Sequence, residues 1–524
     1  MSDLLRVSSY QDALDRFSWD GLWALFDGSR DWLNIAFECV DRHEAEATAA
    51  RILRPDGGVD ELSFGALSTA SAQFAHALER RGVDRGAAVG ILLEPSPEFY
   101  TALFGTLKRG AVAVPLYTLF GPDAVRERLD DCEAALLVVD EAGEGVAARL
   151  ETPHLTFGAQ LWNELGSLPG TYTCATAAAD AAVLQYTSGT TRQLPEAVPH
   201  DHRAVVTLAR AALFALGLKP GDRYLCPSSP AWGHGLWHGT IAPLSLGIGV
   251  GAYAGRFSVD RLLDGAAQLA ATNLAAASTV YRMILASGRA RELRGLQKAS
   301  YTGEDLDAAA QGEFQETVGI PICGMYGTTE TGVVLANYPG FSGYAPRPGA
   351  LGKPVPGCDV AVLGPDGSVL APGAVGELAV WRRSAWVRAR DLGSQDEDGY
   401  FRYAGRADDV IISGGWTISP LEVERALLRH PAVHDAAVVG VPDDLRGHVV
   451  KAFVIADHGD PALALELQDL VRDTLGRHEY PRQVEFVAQL PRTANGKKDR
   501  RALRSRSAGQ ETMEGDTAPW RAPG

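Results

Sequence analysis

Between residues 67 and 140 the chain changes hydrophobic period several times, and that alternation narrows its fold more than any other feature. Leu67, Ala70, Phe74 and Leu78 fall at spacings of 3, 4 and 4, one face of an amphipathic helix, and Arg81-Gly82 closes it. Ala88-Val89-Gly90-Ile91-Leu92-Leu93 follows, a short unbroken apolar run suited to a buried strand. Residues 99–109 read as helix, Ala111 to Leu116 as strand, the next stretch as helix, and Ala134 to Asp140 as strand again. Helices alternating with apolar strands predict an α/β sheet covered on both faces.

The pattern is expected to run to about residue 400. At 524 residues the chain is too long for one core. Near Gln395 to Arg406 (QDEDGYFRYAGR) the sequence turns polar and glycine-bearing, which suits a linker. A smaller α+β unit follows: helix over 422–429, strands over 436–441 and 449–456, and a second helix over 463–475. The expected division is a large, multi-subdomain N-terminal α/β domain over 1–404, a junction at 405–408, a small domain over 409–505, and a disordered tail over 506–524.

Composition excludes several classes. No run reaches the roughly 18 apolar residues needed to cross a bilayer, and the start, MSDLLRVSSYQDALDRF, mixes acidic and polar residues among its apolar ones, unlike a secretory signal. Cys39, Cys132, Cys174, Cys226, Cys323 and Cys358 are scattered, with no CxxC pair, so they read as reduced thiols of a cytoplasmic protein without structural zinc. A formal charge of -16 argues against nucleic acid as a partner. Any polyanionic ligand must therefore be held by a dedicated loop.

Four loops carry chemistry. Tyr186-Thr187-Ser188-Gly189-Thr190-Thr191 follows the strand-like Ala181-Ala182-Val183-Leu184, so hydroxyls and backbone N–H groups cluster at a strand exit, where they can face phosphate oxygens. By itself such a segment is more often only a turn. Gly324-Met325-Tyr326-Gly327-Thr328-Thr329-Glu330-Thr331-Gly332 sets one carboxylate among hydroxyls, enough for a Mg²⁺ ligand or for a solvated acidic turn. Gly405-Arg406-Ala407-Asp408-Asp409 leads through Ser413-Gly414-Gly415 to Ile418-Ser419-Pro420-Leu421-Glu422-Val423-Glu424 at the domain junction. Leu490-Pro491-Arg492-Thr493-Ala494-Asn495-Gly496-Lys497 is a turn presenting a lysine.

Taken in order, TSGTT, YGTTETG, GRADD…SGG…ISPLEVE and LPRTANGK closely resemble the core motifs of the AMP-forming acyl-CoA synthetase, adenylation-domain and luciferase superfamily, over residues 40–505. The resemblance implies a large domain and a small mobile one, with the site between them. A carboxylic acid attacks ATP to give acyl-AMP and pyrophosphate, the small domain turns, and the thiol of CoA displaces AMP. It implies that Thr187, Ser188, Gly189, Thr190 and Thr191 cradle the triphosphate, with Thr187 also counted as catalytic. Gly303, Glu304, Met325, Tyr326, Gly327, Thr328 and Thr329 would line the adenine pocket, and Glu330 would bind Mg²⁺. Asp391 would hold the ribose with Arg406 beside it, and Asp408 would be the hinge. Gly414 and Gly415 would line the CoA tunnel, and Lys497 would bridge carboxylate and α-phosphate. Trp232, His234, Gly235, Trp237 and His238 lie where relatives place part of the acyl pocket, with a content nearest the acetyl, medium-chain and aryl-acid CoA ligases. His234 and His238 would position the carboxylate or serve as packed histidines. The family's habits lean towards a homodimer.

Two departures stand out. Where relatives continue with a glycine and then a lysine, this chain has Arg192 and Glu196, and where relatives commonly have Thr-Gly before the ribose aspartate it has Ala389-Arg390. Two charges about 4 Å apart interact by about 4 kcal/mol at an effective dielectric of about 20, so an anion in place of a cation beside a triphosphate matters. Three readings therefore stand beside a complete ligase that uses Arg192: an adenylation-deficient enzyme that passes an acyl-AMP supplied by a partner ligase to CoA, transfer to a carrier-protein thiol, and a non-catalytic ligand-binding relative.

Overall fold

The computed structural model describes residues 3–187, 196–303, 306–328, 331–407, 409, 411–413, 416–443, 447–475, 479–492 and 497–510. The chain divides into two compact units, Met1–Asp359 and Val360–Gly524.

In the first unit the periodic stretches become the elements their spacing predicts. The helix Phe64–Arg80 buries Leu67, Phe74 and Leu78, and Ser63 caps its start by accepting from the Ala66 amide. Pro97–Arg109 begins with proline in its first turn behind the Ser96 cap. The strands Ala88–Leu92, Val112–Pro115 and Leu136–Asp140 lie side by side in a six-stranded sheet, ordered His154–Phe157, Leu136–Asp140, Ala88–Leu92, Val112–Pro115, Ala181–Thr187, Glu196–Asp201. The first five of these strands are parallel, and the last turns back antiparallel on its neighbour.

A nine-stranded sheet completes the unit. Its parallel middle comprises Ile322–Thr328, Lys298–Thr302, Asn273–Ala277, Tyr224–Cys226, Val250–Tyr253 and Thr48–Leu53. Antiparallel strands close both edges: Gly332–Ala336 and Lys353–Pro354 on one side, Val59–Ser63 on the other. One apolar core draws residues from both sheets, including Val89 and Ala113 from one and Ala50 and Val250 from the other. No described helix is long and apolar enough to cross a membrane.

The second unit departs from the expected alternation. From Val360 the chain forms an antiparallel meander of Val360–Leu363, Val375–Arg382, Ala385–Gln395 and Phe401–Arg406. The α/β pattern therefore ends near residue 360, and Gln395 to Arg406 is a hairpin rather than a linker. The reason is local. The Asp396 carboxylate accepts from the amides of Asp398 and Tyr400, and Gly399 takes φ +84, which folds the polar stretch into a tight turn. Beyond it, Trp416–Ile418, Ile411–Ser413, Gly447–Ala456 and Val433–Asp443 form a second sheet, with Gln483–Phe486 added in parallel. The helices Pro420–Leu427 and Pro461–Thr474 pack Val423, Leu427, Leu463 and Leu467 into its core. A last helix, Arg500–Gln510, extends past residue 506, where an irregular tail was expected to begin.

Candidate functional site

The strand Ala181–Thr187 delivers the first hydroxyl of the proposed phosphate loop. Thr187 is its final residue and pairs in register with Glu196, the first residue of the returning strand. Ser188, Gly189, Thr190, Thr191 and Arg192 lie outside the described residues. Two residues before Thr187, the buried Gln185 side chain accepts a 2.7 Å hydrogen bond from the Trp237 indole. The strand exit is thereby tied to the segment His234–Ile241.

That segment is a π-helix, a geometry enriched at functional sites. Its widened turn needs close backbone approach: a Cβ at Gly235 would run into the carbonyl oxygens of Ser228 and Ser229. His234 is 3% exposed, and its Nδ1 lies 2.8 Å from the Ser228 hydroxyl, with the Cys226 sulfur at 3.9 Å. Its ring centroid is 5.3 Å from that of Trp232 and 6.0 Å from that of His238. Burial pushes His234 down to about 3, with His238 adding to the effect, and burial pushes His238 down to about 4. Both rings are therefore neutral at pH 7. The His200 ring packs 4.6 Å from Trp237.

The strands Lys298–Thr302 and Ile322–Thr328 meet this region from the sheet next door. Gly303 leaves the first of them at φ +100, and a Cβ there would meet the Trp232 ring at 3.1 Å, so glycine is required twice over. The Thr302 hydroxyl reaches the Met325 carbonyl at 3.3 Å. Met325 is buried, Tyr326 and Thr328 are half-buried, and Gly327 between them is exposed. Thr328 and Thr331 bind each other through both hydroxyls and both amides, at 3.0 to 3.2 Å. This interlock flanks Thr329 and Glu330 in sequence; those two residues and Glu304 lie outside the described set.

In the second unit Asp391 is 6% exposed and pairs with Arg406 at 3.3 Å, the two facing each other across adjacent strands. A β-bulge makes this possible, since the register shifts between Glu377 and Ala379. The bulge carries Arg390 at φ 59, its amide donating to Glu377 at 3.0 Å and its carbonyl accepting from Ala407 at 2.9 Å. Burial, with the Asp391 charge adding to it, pushes the Tyr403 phenol up. Asp409 is held by Arg500 and Arg504 at 3.8 and 3.0 Å. Asp408, Gly414 and Gly415 lie outside the described residues, and Lys497 is exposed one residue before the bridge between Arg492 and Lys498.

The donor sets suit a nucleotide and an acid. A buried carboxylate beside a guanidinium can accept two ribose hydroxyls, and a glycine at positive φ leaves a flat approach beside an aromatic ring. Among the described residues no cluster of three or more His, Cys, Asp or Glu could hold a metal ion. Sequence reasoning missed Gln185 and His200. Gln185 alone gave a signal, as a polar residue inside the apolar run leading to the loop.

The sequence matches the family described as AMP-binding enzyme over residues 37–386, and its C-terminal domain over residues 422–497. It is 30% identical to the mitochondrial acyl-coenzyme A synthetase ACSM3 of Mus musculus, covering 91% of both chains. It is also 30% identical to the acetyl-coenzyme A synthetase of Bacillus subtilis (strain 168), covering 95% of both. The crystal structure of the anthranilate CoA ligase AuaEII in complex with anthranoyl-AMP superposes with a TM-score of 0.82 at 29% identity, over 93% of this chain and 99% of that one. With both halves of the family matched in order along a single sequence, the chain belongs to the AMP-binding enzymes.

Proposed function

We propose that the protein is an acyl-CoA ligase that converts a carboxylic acid to its CoA thioester through an acyl-AMP. The observation that carries this reading is the match of both units, at nearly full length, to acyl-CoA and acetyl-CoA synthetases. In this reading Thr187 and the loop after it hold the triphosphate of ATP. Gly303, Glu304 and Met325 to Thr329 receive the adenine, and Asp391 and Arg406 receive the ribose. Glu330 would hold Mg²⁺, which would offset charge on the phosphates. Trp232, His234, Gly235, Trp237 and His238 line the acyl pocket. Lys497 brings the two anionic reactants together, since an ammonium shared between them offsets their repulsion and the charge of the transition state. Rotation about Asp408 would then exchange Lys497 for the Gly414-Gly415 tunnel, through which the pantetheine thiol of CoA reaches the adenylate. The free cysteines suit a cytoplasmic location, and a homodimer is the assembly expected.

One observation favours a second reading. The strand register sets the anionic Glu196 opposite Thr187 at the foot of the phosphate loop. A chain so built would be slow at adenylation yet competent in passing an acyl-AMP, made by a partner ligase, to CoA. The test separates the half-reactions. Pyrophosphate release from ATP is measured across short, aryl and polycyclic acids, and thioester formation is measured from the matching synthetic acyl-adenylates. Activity in both assays establishes the complete ligase. Thioester without pyrophosphate establishes the second reading, and silence in both with every acid and adenylate overturns both.

A further inference from the structure

Two imidazole nitrogens on one π-helix are covered and have no hydrogen-bond partner among the described residues: Nε2 of His234 and Nδ1 of His238. Leaving such a group unpaired costs about 1–3 kcal/mol, and two of them on rings 6.0 Å apart point to a shared partner supplied from outside the chain. The environment specifies its chemistry. The Ser228 hydroxyl beside Nδ1 of His234 can donate to it or accept from it, so Nε2 meets a ligand as donor in one tautomer and as acceptor in the other, and a hydroxyl answers either. Among the described residues no carboxylate or ammonium acts on either ring; each feels burial, and His234 feels His238 besides. Against those neighbours a second charged group on the ligand would enter without a counter-charge. The indole of Trp232, its ring centroid 5.3 Å from that of His234, supplies a flat apolar wall.

We propose that His234 and His238 form a subsite that reads an uncharged oxygen substituent, a hydroxyl or carbonyl, on a ring-bearing carboxylic acid. This rests on the ligase reading and adds the substrate class to it. The subsite joins the rest of the candidate site at two places: Trp237 is bonded to Gln185 on the strand that ends at Thr187, and Trp232 lies against Gly303. A site built to bond an oxygen rejects the analogue lacking it far more strongly than an apolar pocket rejects a missing methylene.

The experiment compares benzoate and cyclohexanecarboxylate with their hydroxy isomers and with the corresponding dicarboxylates. Pyrophosphate release is read first, and thioester formation from the synthetic adenylates is read where the first step is silent. One hydroxy isomer is expected to exceed its unsubstituted parent at least tenfold in kcat/KM, with the dicarboxylates rejected. His234→Phe is expected to collapse that ratio towards one, and His234→Gln, which restores a donor, to recover part of it. Equal use of parent and hydroxy acids by the wild-type protein overturns the proposal, as does an equal loss on both acids in His234→Phe. Should neither half-reaction proceed with any acid, the ligase reading falls by itself. Quenching of tryptophan fluorescence by the same acids then decides the subsite: tighter binding of a hydroxy isomer supports it, and equal affinities or no binding overturn it.

Discussion

Arg390 holds φ 59, in the left-handed region where a side chain costs about 1–2 kcal/mol, so that the bulge can turn Asp391 toward Arg406. Arg390→Gly removes that cost but adds chain entropy to the unfolded state. The expected net gain is up to about 1 kcal/mol, seen as a rise of a few degrees in the thermal midpoint. A fall would show that the guanidinium contributes more than its backbone costs. Histidines set the acid limit of the first unit. Burial pushes His202 down to about 4, with its Nδ1 accepting from the Ile35 amide, and His234 is pushed down to about 3. Above pH 6.5 these rings are neutral whether the chain is folded or not. As pH falls below 6.5 the unfolded chain takes up protons that the folded chain refuses, so stability is lost between about 6.5 and 4, on the order of 3 kcal/mol per ring. Urea titrations at pH 7.5 and 5.0 should show the lower midpoint at pH 5.0, and His202→Gln should reduce the difference while leaving the share due to His234.

The hairpin of Ala181–Thr187 and Glu196–Asp201 sets Thr187 opposite Glu196, on either side of the proposed phosphate loop in sequence. Glu196→Lys replaces an anion beside the expected triphosphate with a cation. Adenylation should improve roughly tenfold in KM for ATP, measured by pyrophosphate release. An unchanged or weaker KM would mean that Arg192 already serves the phosphates. The π-helix depends on Gly235, because a Cβ there would strike the Ser228 and Ser229 carbonyls. Gly235→Ala should destabilise the chain by about 1–3 kcal/mol, as overpacking does. Because the same turn carries His234 and Trp237, the acid's KM should rise with it.

At the scale of the molecule, the ligase reading divides one reaction between two compact units. Lys497→Ala should abolish acyl-AMP formation, by about a hundredfold or more, while sparing thioester formation from supplied acyl-adenylate. Equal loss of both steps would remove the lysine from the assigned role. Stretches whose character is set locally were legible without coordinates. Leu67 to Leu78 became a helix and the runs at 88, 112 and 136 became parallel strands, because period and apolarity decide which face is buried. The four motif loops were legible through the order in which their glycines, hydroxyls and charges occur, although Glu330, Asp408, Gly414 and Gly415 fall outside the described residues. Polar composition misled at Gln395 to Arg406, where an Asp396 turn makes a hairpin from what reads as a linker. Sequence alone thus determined the family and the α/β core, since those follow from side-chain type and spacing. Only the tertiary structure decided that Gln185 bonds Trp237 from 52 residues away, that Gly303 lies against Trp232, and that two histidine nitrogens are buried without partners among the described residues. Those contacts join distant parts of the chain, and no local pattern in the sequence records which residues the packing will bring together.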